Sequence, residues 1–180
     1  ILNITRPFQH YEVTKQALLH GKHVYSEKPL GASIEEGREL VALAAERKLM
    51  VGGAPDTFLG AGIQTCKKLI DDGFIGRPVG ASGFMMSHGP ESWHPDPEFF
   101  YKYGGGPMMD MGPYYITAMT YLLGRVETVS ATTSRSFQQR TMTCKEHYGE
   151  KIDVDVSTFL SGTMRFESGA VGTLTTTFDV

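Results

Sequence analysis

The sequence predicts a doubly wound α/β unit with a parallel sheet, followed by a strand-rich α+β unit. Residues 1–55 alternate short apolar runs with helical patterns, in the order strand–helix–strand–helix–strand with short connections. Such alternation requires parallel pairing through right-handed crossovers. After Pro55 the alternation stops, and the chain from residue 126 onward is mainly β-patterned. We therefore place a domain boundary near residue 55, between units 1–55 and 56–180.

Capping residues bound the elements of the first unit. Gly21 closes the first helix, because glycine readily adopts the left-handed conformation that ends many helices. Ser33 and Glu36 have the spacing of a capping box, which opens the second helix. The predicted segments are a strand at 1–5, a helix at 10–20, a strand at 23–26, a helix from Ser33 to about Arg47 and a strand at 49–52. Since these strands are too few for a complete doubly wound sheet, we interpret the chain as an internal fragment, incomplete at both ends.

The second unit combines two helices with long β runs. The residues of 167–170, Glu-Ser-Gly-Ala, are those of a hairpin turn, which predicts antiparallel pairing of the flanking runs. Thr173, Thr175 and Thr177 recur at every second position, which predicts a sheet with one polar and one apolar face. The predicted segments are helices at 60–72 and 108–123, and strands at 78–87, 126–136, 154–166 and 171–180.

The composition excludes several classes of partner. A net charge of −3 with 21% charged residues gives no basic surface for nucleic acid or an acidic membrane. No apolar run approaches the length of a membrane span. The two cysteines, Cys66 and Cys144, are too few for a disulfide framework and favour a reducing, cytoplasmic setting. Cys66 lies on an apolar helical stripe and is predicted to be buried.

Lys28 is the first candidate for a chemical role. It lies in Ser-Glu-Lys-Pro-Leu, residues 26–30, where the second strand ends. Pro29 restricts the residue before it to extended conformations, and open α/β sheets bind their ligands at the carboxyl ends of strands. The alternative is a surface lysine in a strand-to-helix connection.

Two further clusters contain candidate site residues. Thr5–His10 is a strand-end loop leading into a helix N-terminus, a place where hydroxyl and backbone groups reach ligands; an ordinary capped connection is the alternative. Gly104–Tyr115 begins with three glycines and carries Asp110 among Met, Gly, Pro and aromatic residues. A carboxylate there requires a ligand or an ion-pair partner, and both possibilities stay open. Tyr114, four residues on, shares its helix face.

The histidines predict a pocket wall and no metal site. His88, His94 and His147 match no metal-ligand spacing. Trp93 and His94 are adjacent in an aromatic, proline-rich stretch, which favours the wall of a substrate pocket with the imidazole as a hydrogen-bond partner for hydroxyl groups. Arg140 is interpreted as a solvated loop residue.

Together these segments resemble the glucose–fructose oxidoreductase / inositol dehydrogenase / rhizopine catabolism (Gfo/Idh/MocA) family. The matching residues are Thr5–His10, Gly-Lys-His-Val at 21–24, Glu-Lys-Pro at 27–29, Gly104–Gly106 and Asp-Met-Gly at 110–112. Their order and distances are similar to the family's along essentially all 180 residues. The resemblance implies that 1–55 is the C-terminal part of a dinucleotide-binding Rossmann domain. It also implies that 56–180 is a substrate-binding and oligomerisation domain with a large, open, mostly antiparallel sheet.

The resemblance also implies an activity and its participants. Members of the family are NAD(P)-dependent dehydrogenases that transfer hydride between a nicotinamide and a hydroxyl of a sugar, a cyclitol or a derivative. We expect NAD or NADP as cofactor, a carbohydrate-like substrate and a homo-oligomer formed through the sheet face. The choice between NAD and NADP stays open, because the glycine-rich dinucleotide fingerprint and the residue after the second strand of the domain are not among these residues.

Residue roles are implied by the same resemblance. Lys28, over a cis bond to Pro29, would contact the substrate and take or relay the hydroxyl proton. Asp110 would bind the substrate or hold Lys28. The other implied or predicted roles are cofactor contacts from Thr5, Pro7, His10, Glu27 and Lys28, and substrate contacts from Trp93, His94 and Asp110.

Tyr114 is the departure from the family pattern. Many members have a histidine four residues after the aspartate, as the acid/base, and this chain has Tyr114. We expect its phenol to donate a hydrogen bond to the carbonyl oxygen in the reductive direction. The substitution also leaves an alternative open, a non-catalytic sugar-binding or regulatory relative with the same fold. A structural module that dimerises through its exposed sheet is a further alternative, compatible with an enzyme.

Overall fold

A computed structural model describes all 180 residues of the chain. It contains five α-helices, nine β-strands in three sheets and two 3-10 turns. The elements are β1 (Leu2–Asn3), α1 (Pro7–Leu19), β2 (Val24–Ser26), α2 (Ile34–Glu46), β3 (Val51–Gly53), the turn Asp56–Leu59, α3 (Ala61–Asp71), β4 (Gly80–Met86), the turn Glu98–Tyr101, α4 (Pro107–Asp110), α5 (Gly112–Leu123), β5 (Val126–Ser134), β6 (Gln139–Thr141), β7 (Lys151–Asp153), β8 (Phe159–Phe166) and β9 (Val171–Thr177). None of the helices is both long enough and apolar enough to cross a lipid bilayer.

The first sheet is parallel, which confirms the alternating pattern of residues 1–55. Its order is β1-β2-β3, and both pairs run parallel. Helices α1 and α2 cover one face, where Val24 packs with Leu18 and Leu40 in a buried cluster. On the first strand and just after it, Leu2 and Ile4 stay 65% and 71% exposed. One face of this sheet is therefore packed, while apolar side chains remain open beside it.

The second sheet is mixed, and the expectation of a mostly antiparallel sheet is wrong. Its order is β4-β9-β8-β5. The hairpin turn at 167–170 is confirmed, because β8 and β9 pair antiparallel on either side of it. Strand β4, however, runs parallel to β9. The two strands are far apart in the sequence, so no short turn fixes their relative direction, and a parallel partner needs only a long crossover.

Helix α5 covers one face of the second sheet. Met119 and Leu123 of the helix belong to one buried cluster with Met164 and Phe166 of β8. On the open face, Ser161 and Thr175 are hydrogen-bonded across the strands at 2.9 Å. The alternation of the sequence therefore gives one apolar and one polar face, as predicted. The exception is Thr177, which is fully buried and accepts a hydrogen bond from the backbone N–H of Asp179 at 2.9 Å.

Strands β6 and β7 form a separate hairpin between β5 and β8, and they correct the interpretation of Arg140. The Arg140 side chain is only 6% exposed. It contacts Glu91 at 2.5 Å and Asp179 at 3.1 Å. These partners lie 49 and 39 residues away in the sequence, so local pattern could not reveal the ion pairs. Cys66 was also wrongly predicted, since it is exposed on α3.

Candidate active site

The amine of Lys28 projects from the carboxyl end of β2. The strand ends at Ser26, and the Lys28–Pro29 peptide bond is cis, as the resemblance implies. The backbone N–H of Lys28 donates to Glu27 Oε2 at 3.0 Å. The Lys28 side chain is 14% exposed, so this lysine is not the surface residue of the alternative interpretation.

Asp110 reaches Lys28 because the predicted helix 108–123 is broken. Pro113 has no N–H to donate to the preceding turn, so α4 ends at Asp110 and α5 begins at Gly112. The backbone N–H of Tyr114 donates to the carbonyl oxygen of Met111 at 3.1 Å and not to that of Asp110. The Asp110 carbonyl oxygen instead accepts a hydrogen bond from Lys28 Nζ at 2.5 Å. Asp110 Oδ1 accepts a second one at 2.6 Å. A carboxylate and an amine that are 82 residues apart in the sequence therefore meet in one partly buried pair.

Tyr114 lies beside this pair. Lys28 Nζ is 5.1 Å from the centre of its ring, a distance at which a cation is attracted to an aromatic face. Burial, followed by the carboxylates of Glu27, Asp56 and Asp110, raises the pKa of the Tyr114 phenol above its ordinary value. The phenol therefore keeps its proton at neutral pH and can act as a hydrogen-bond donor.

Two cavities meet at Lys28, which lines both of them. The smaller one has a volume of about 200 Å³, and six of its twelve lining residues have polar or charged side chains. It is lined by Thr5, Arg6, Pro7, His10, Glu27, Lys28, Pro29, Phe99, Phe100, Gly104, Gly105 and Asp110. The larger one has a volume of about 510 Å³ and is mainly apolar. It is lined by Lys28, Thr57, Ile63, Met111, Tyr114, Tyr115 and Ala118. We call them the polar cavity and the apolar cavity.

All five residues predicted to contact the cofactor line the polar cavity, and His10 has an additional structural role. Its side chain is buried, with Nδ1 2.6 Å from the carbonyl oxygen of Pro29 and Nε2 2.9 Å from that of Thr5. The imidazole thus joins the strand-end loop to the turn that carries Lys28. Because both ring nitrogens face backbone carbonyls, the ring positions this loop and has no nitrogen left for a ligand.

Trp93 and His94 line neither cavity. Trp93 is 67% exposed. His94 packs edge-on against Phe99 and Phe100, and its ring centre is 5.3 Å from that of Phe99 and 5.0 Å from that of Phe100. These two phenylalanines line the polar cavity. His94 therefore lies behind the phenylalanines that form the cavity wall and is not itself part of the wall.

Sequence reasoning missed several residues that line the cavities or support them. Arg6 lines the polar cavity, stacks 4.6 Å above the ring of Phe99 and pairs with Asp96 at 3.1 Å. Asn3 is buried beneath the loop, where its Oδ1 accepts from the Thr5 hydroxyl at 2.7 Å. An asparagine in an otherwise apolar strand was a usable signal for Asn3, because a buried amide requires partners. The apolar side chains of the larger cavity carry no such signal.

Two family models match nearly the whole chain. The model of the GFO/IDH/MocA C-terminal domain matches residues 63–180. The model described as the oxidoreductase family, NAD-binding Rossmann fold, matches residues 2–53. This chain belongs to the Gfo/Idh/MocA oxidoreductase family. The resemblance stated from the sequence is thereby confirmed.

Similar proteins within the Gfo/Idh/MocA family include named dehydrogenases. Levoglucosan dehydrogenase of Pseudarthrobacter phenanthrenivorans is 27% identical over 184 residues, which cover 93% of this chain and 46% of that protein. The scyllo-inositol 2-dehydrogenase (NAD(+)) of Bacillus subtilis is 28% identical over 173 residues, covering 96% of this chain and 46% of that protein. D-xylose dehydrogenase of Paenarthrobacter nicotinovorans is 29% identical over 131 residues, covering 70% and 34%. The chain thus spans between a third and a half of the length of these relatives.

Solved structures of the family share the fold over the whole chain. A levoglucosan dehydrogenase in complex with NADH and L-sorbose superposes with a TM-score of 0.82 at 25% identity, covering 99% of this chain and 48% of that one. An NAD binding oxidoreductase from Klebsiella pneumoniae gives a TM-score of 0.80 at 22% identity, covering 99% and 47%. These structures support a Rossmann unit followed by a domain with a mixed sheet.

Proposed function

We propose that the gene product containing this chain is an NAD(P)-dependent oxidoreductase that transfers hydride between a nicotinamide and a hydroxyl of a sugar, a cyclitol or a derivative. The observation that carries the proposal is the convergence of Lys28, Asp110 and Tyr114 at the carboxyl edge of the parallel sheet, where two cavities meet. The named relatives act on such substrates, and one solved relative binds NADH. NAD or NADP is the proposed cofactor.

The polar cavity fits the nicotinamide end of the cofactor. It lies at the carboxyl ends of β1 and β2, where doubly wound sheets bind dinucleotides. Thr5, Pro7, Glu27 and Lys28 would hold the nicotinamide and its ribose there, while His10 would hold the loop. When bound, the nicotinamide supplies the hydride acceptor or donor. The residues described contain no glycine-rich turn for the pyrophosphate, so they account only for this end of the molecule.

Lys28 is the proposed acid/base. Its amine nitrogen donates to two acceptors of Asp110, the carbonyl oxygen and Oδ1. A neutral amine has two N–H groups and one lone pair, so these two bonds direct the lone pair away from Asp110. In oxidation that lone pair takes the proton of the substrate hydroxyl, and in reduction the ammonium returns it to the carbonyl oxygen. Asp110 thus orients the catalytic amine, and its second carboxylate oxygen is available to a substrate hydroxyl.

Tyr114 is proposed as a hydrogen-bond donor to the same substrate oxygen. Its raised pKa keeps the phenol protonated, and a fixed donor near the developing charge stabilises the transition state. Trp93 and His94 would act on the substrate only through Phe99 and Phe100, since neither lines a cavity. We therefore propose that Trp93 and His94 contribute to substrate binding indirectly, by supporting these two phenylalanines.

The proposal extends to the organisation of the protein. Residues 1–55 would be the C-terminal part of the nucleotide domain, and 56–180 the substrate and oligomerisation domain. The open, threonine-rich face of the second sheet would form the contact of a homo-oligomer. Two free cysteines support a reducing, cytoplasmic setting, and the net charge of −3 supports a small-molecule partner in preference to nucleic acid or a membrane.

A turnover screen of the gene product tests the proposal. NAD and NADP are each combined with a panel of polyols, hexoses, pentoses and cyclitols, and the absorbance of the reduced nicotinamide is followed. We expect at least one compound to be oxidised, with loss of activity in Lys28→Met. The non-catalytic alternative, which the substitution at Tyr114 favours, predicts sugar or NADH binding without turnover, so calorimetry on the same panel separates the two functions.

A further inference from the structure

The apolar cavity is poorly suited to a free polyol. Of its seven lining residues, five are hydrophobic. The remaining polar groups are the Lys28 amine, the Thr57 hydroxyl and the phenols of Tyr114 and Tyr115. A hexose carries a hydroxyl on nearly every carbon, and each hydroxyl that is buried without a partner costs affinity. An apolar group in the same space gains affinity from every methylene that it removes from water.

The apolar cavity is continuous with the proposed reacting centre. Lys28 lines it together with the polar cavity. Of two chain neighbours, Asp110 lines the polar cavity and Met111 lines the apolar cavity. A substrate whose reacting hydroxyl lies at Lys28 therefore has its remaining atoms directed to one cavity or the other. If the nicotinamide fills the polar cavity, the rest of the substrate lies against Met111, Tyr115 and Ala118.

The size of the apolar cavity agrees with a substituted sugar. Its volume of about 510 Å³ lies within the range of roughly 300–1,000 Å³ that small-molecule sites have. It is formed on one side by Ile63 of α3 and on the other by Tyr115 and Ala118 of α5. The cavity therefore lies between α3 and α5.

We propose that the apolar cavity is a subsite for an apolar substituent of the substrate, so that the preferred substrate is an O-alkyl or O-aryl glycoside and not the free sugar. This inference rests on the proposed function for the reaction itself, but not for the binding of the substituent. The substituent lies between α3 and α5, and the sugar ring lies at Lys28.

Turnover of matched glycosides tests the subsite. The gene product is assayed with methyl, butyl and hexyl β-D-glucopyranosides below their micellar concentrations. We expect kcat/KM to rise about threefold to fourfold per methylene over the first few methylenes. Ala118→Leu extends into the cavity and should lower the ratio of kcat/KM for the hexyl glycoside to kcat/KM for the methyl glycoside roughly tenfold. Ala45→Leu, at an exposed position of α2, is the matched control and should leave the ratio unchanged.

Calorimetry with hexyl glucoside separates failure of the inference from failure of the proposed function. If methyl glucoside is turned over and the hexyl glycoside is no better, the subsite is contradicted and the oxidoreductase stands. If neither these glycosides nor any compound of the turnover screen is oxidised, but hexyl glucoside binds with a negative heat-capacity change that Ala118→Leu abolishes, the subsite stands and the oxidoreductase is contradicted. If no glycoside and no compound of the turnover screen is oxidised, and hexyl glucoside does not bind, both the subsite and the function are overturned.

Discussion

Replacing Lys28 by methionine should reduce turnover far more than it reduces stability. Methionine keeps an unbranched apolar stem of similar length and removes the amine that contacts Asp110 at 2.6 Å. A missing general acid/base costs on the order of 10² to 10⁴ in rate, which corresponds to about 3 to 5 kcal/mol of transition-state stabilisation. The loss should be in kcat, because the amine acts on the reacting hydroxyl.

The stability cost of the same change follows from the exposure of the pair. The side chains of Lys28 and Asp110 are 14% and 25% exposed, so the pair lies between an exposed ion pair, worth about 0–1 kcal/mol, and a fully buried one, whose disruption costs about 3–5 kcal/mol. We expect a loss of about 1–2 kcal/mol in the free energy of unfolding. That is too small to account for the loss in rate.

The assay combines three measurements on one variant. Steady-state kinetics give kcat, fluorescence titration gives the Kd for NADH, and urea unfolding gives the stability. We expect the Kd for NADH to change by less than about threefold. Lys22→Met, an exposed lysine just before the same strand, is the control and should change none of the three. Unchanged turnover in Lys28→Met would refute the assignment of Lys28 as acid/base.

Three further predictions follow from the geometry. Tyr114→Phe should lower kcat roughly tenfold to a hundredfold by removing one donor. Because the folded-state pKa of this phenol is raised, the protonated phenol contributes to the stability of the fold. This contribution is fully present below about pH 10 and is lost as the pH rises through the folded-state pKa. In an ultraviolet pH titration, the unmodified protein should therefore show one tyrosinate transition that Tyr114→Phe lacks, at a pH above about 10. If the transition that the variant lacks lies below about pH 10, the burial of Tyr114 is contradicted. Arg140→Met should lower the free energy of urea unfolding by about 3–5 kcal/mol, because it leaves two buried carboxylates unpaired. The control Arg125→Met, at a side chain that is 87% exposed, should lower it by less than about 1 kcal/mol. Equal losses in the two variants would contradict the buried ion pairs of Arg140. Gly104→Ala should reduce both kcat and stability, because φ is +81° and a Cβ there would lie 2.8 Å from Ala32 Cβ. The control Gly149→Ala, at φ +87° with no atom within 4 Å, should lose only about 1–2 kcal/mol of stability to backbone strain and keep its kcat.

Local pattern predicted most of the longer elements of the chain and the two strand-end segments that line its polar cavity. The parallel order of the first sheet followed from alternation, and the 167–170 hairpin from its turn residues. Lys28 was predictable because it follows the end of a strand and precedes a proline. Asp110 was predictable because it is a charge among apolar residues, where a ligand or partner is needed. Their contact with each other was a prediction from resemblance, and the structure shows it.

What local pattern could not predict depends on distant pairing. The parallel partner of β4 is β9, and the ion-pair partners of Arg140 lie 49 and 39 residues away in the sequence. The residues next to β4 and Arg140 in the sequence do not indicate these partners. The break at Met111 was visible in principle, since Gly112 and Pro113 interrupt a helical pattern. The apolar cavity could not be predicted, because Ile63, Met111 and Ala118 look in the sequence like apolar residues that pack in the core of the protein.

A crystal structure of the gene product with NAD and the substrate found in the turnover screen tests the central claim most directly. We predict that the nicotinamide lies in the polar cavity beside Thr5 and Glu27, with the substrate hydroxyl within about 2.6–3.2 Å of Lys28 Nζ and Lys28 still bound to Asp110. A nicotinamide bound away from the β1–β2 edge, or a reacting hydroxyl out of reach of Lys28, would contradict it.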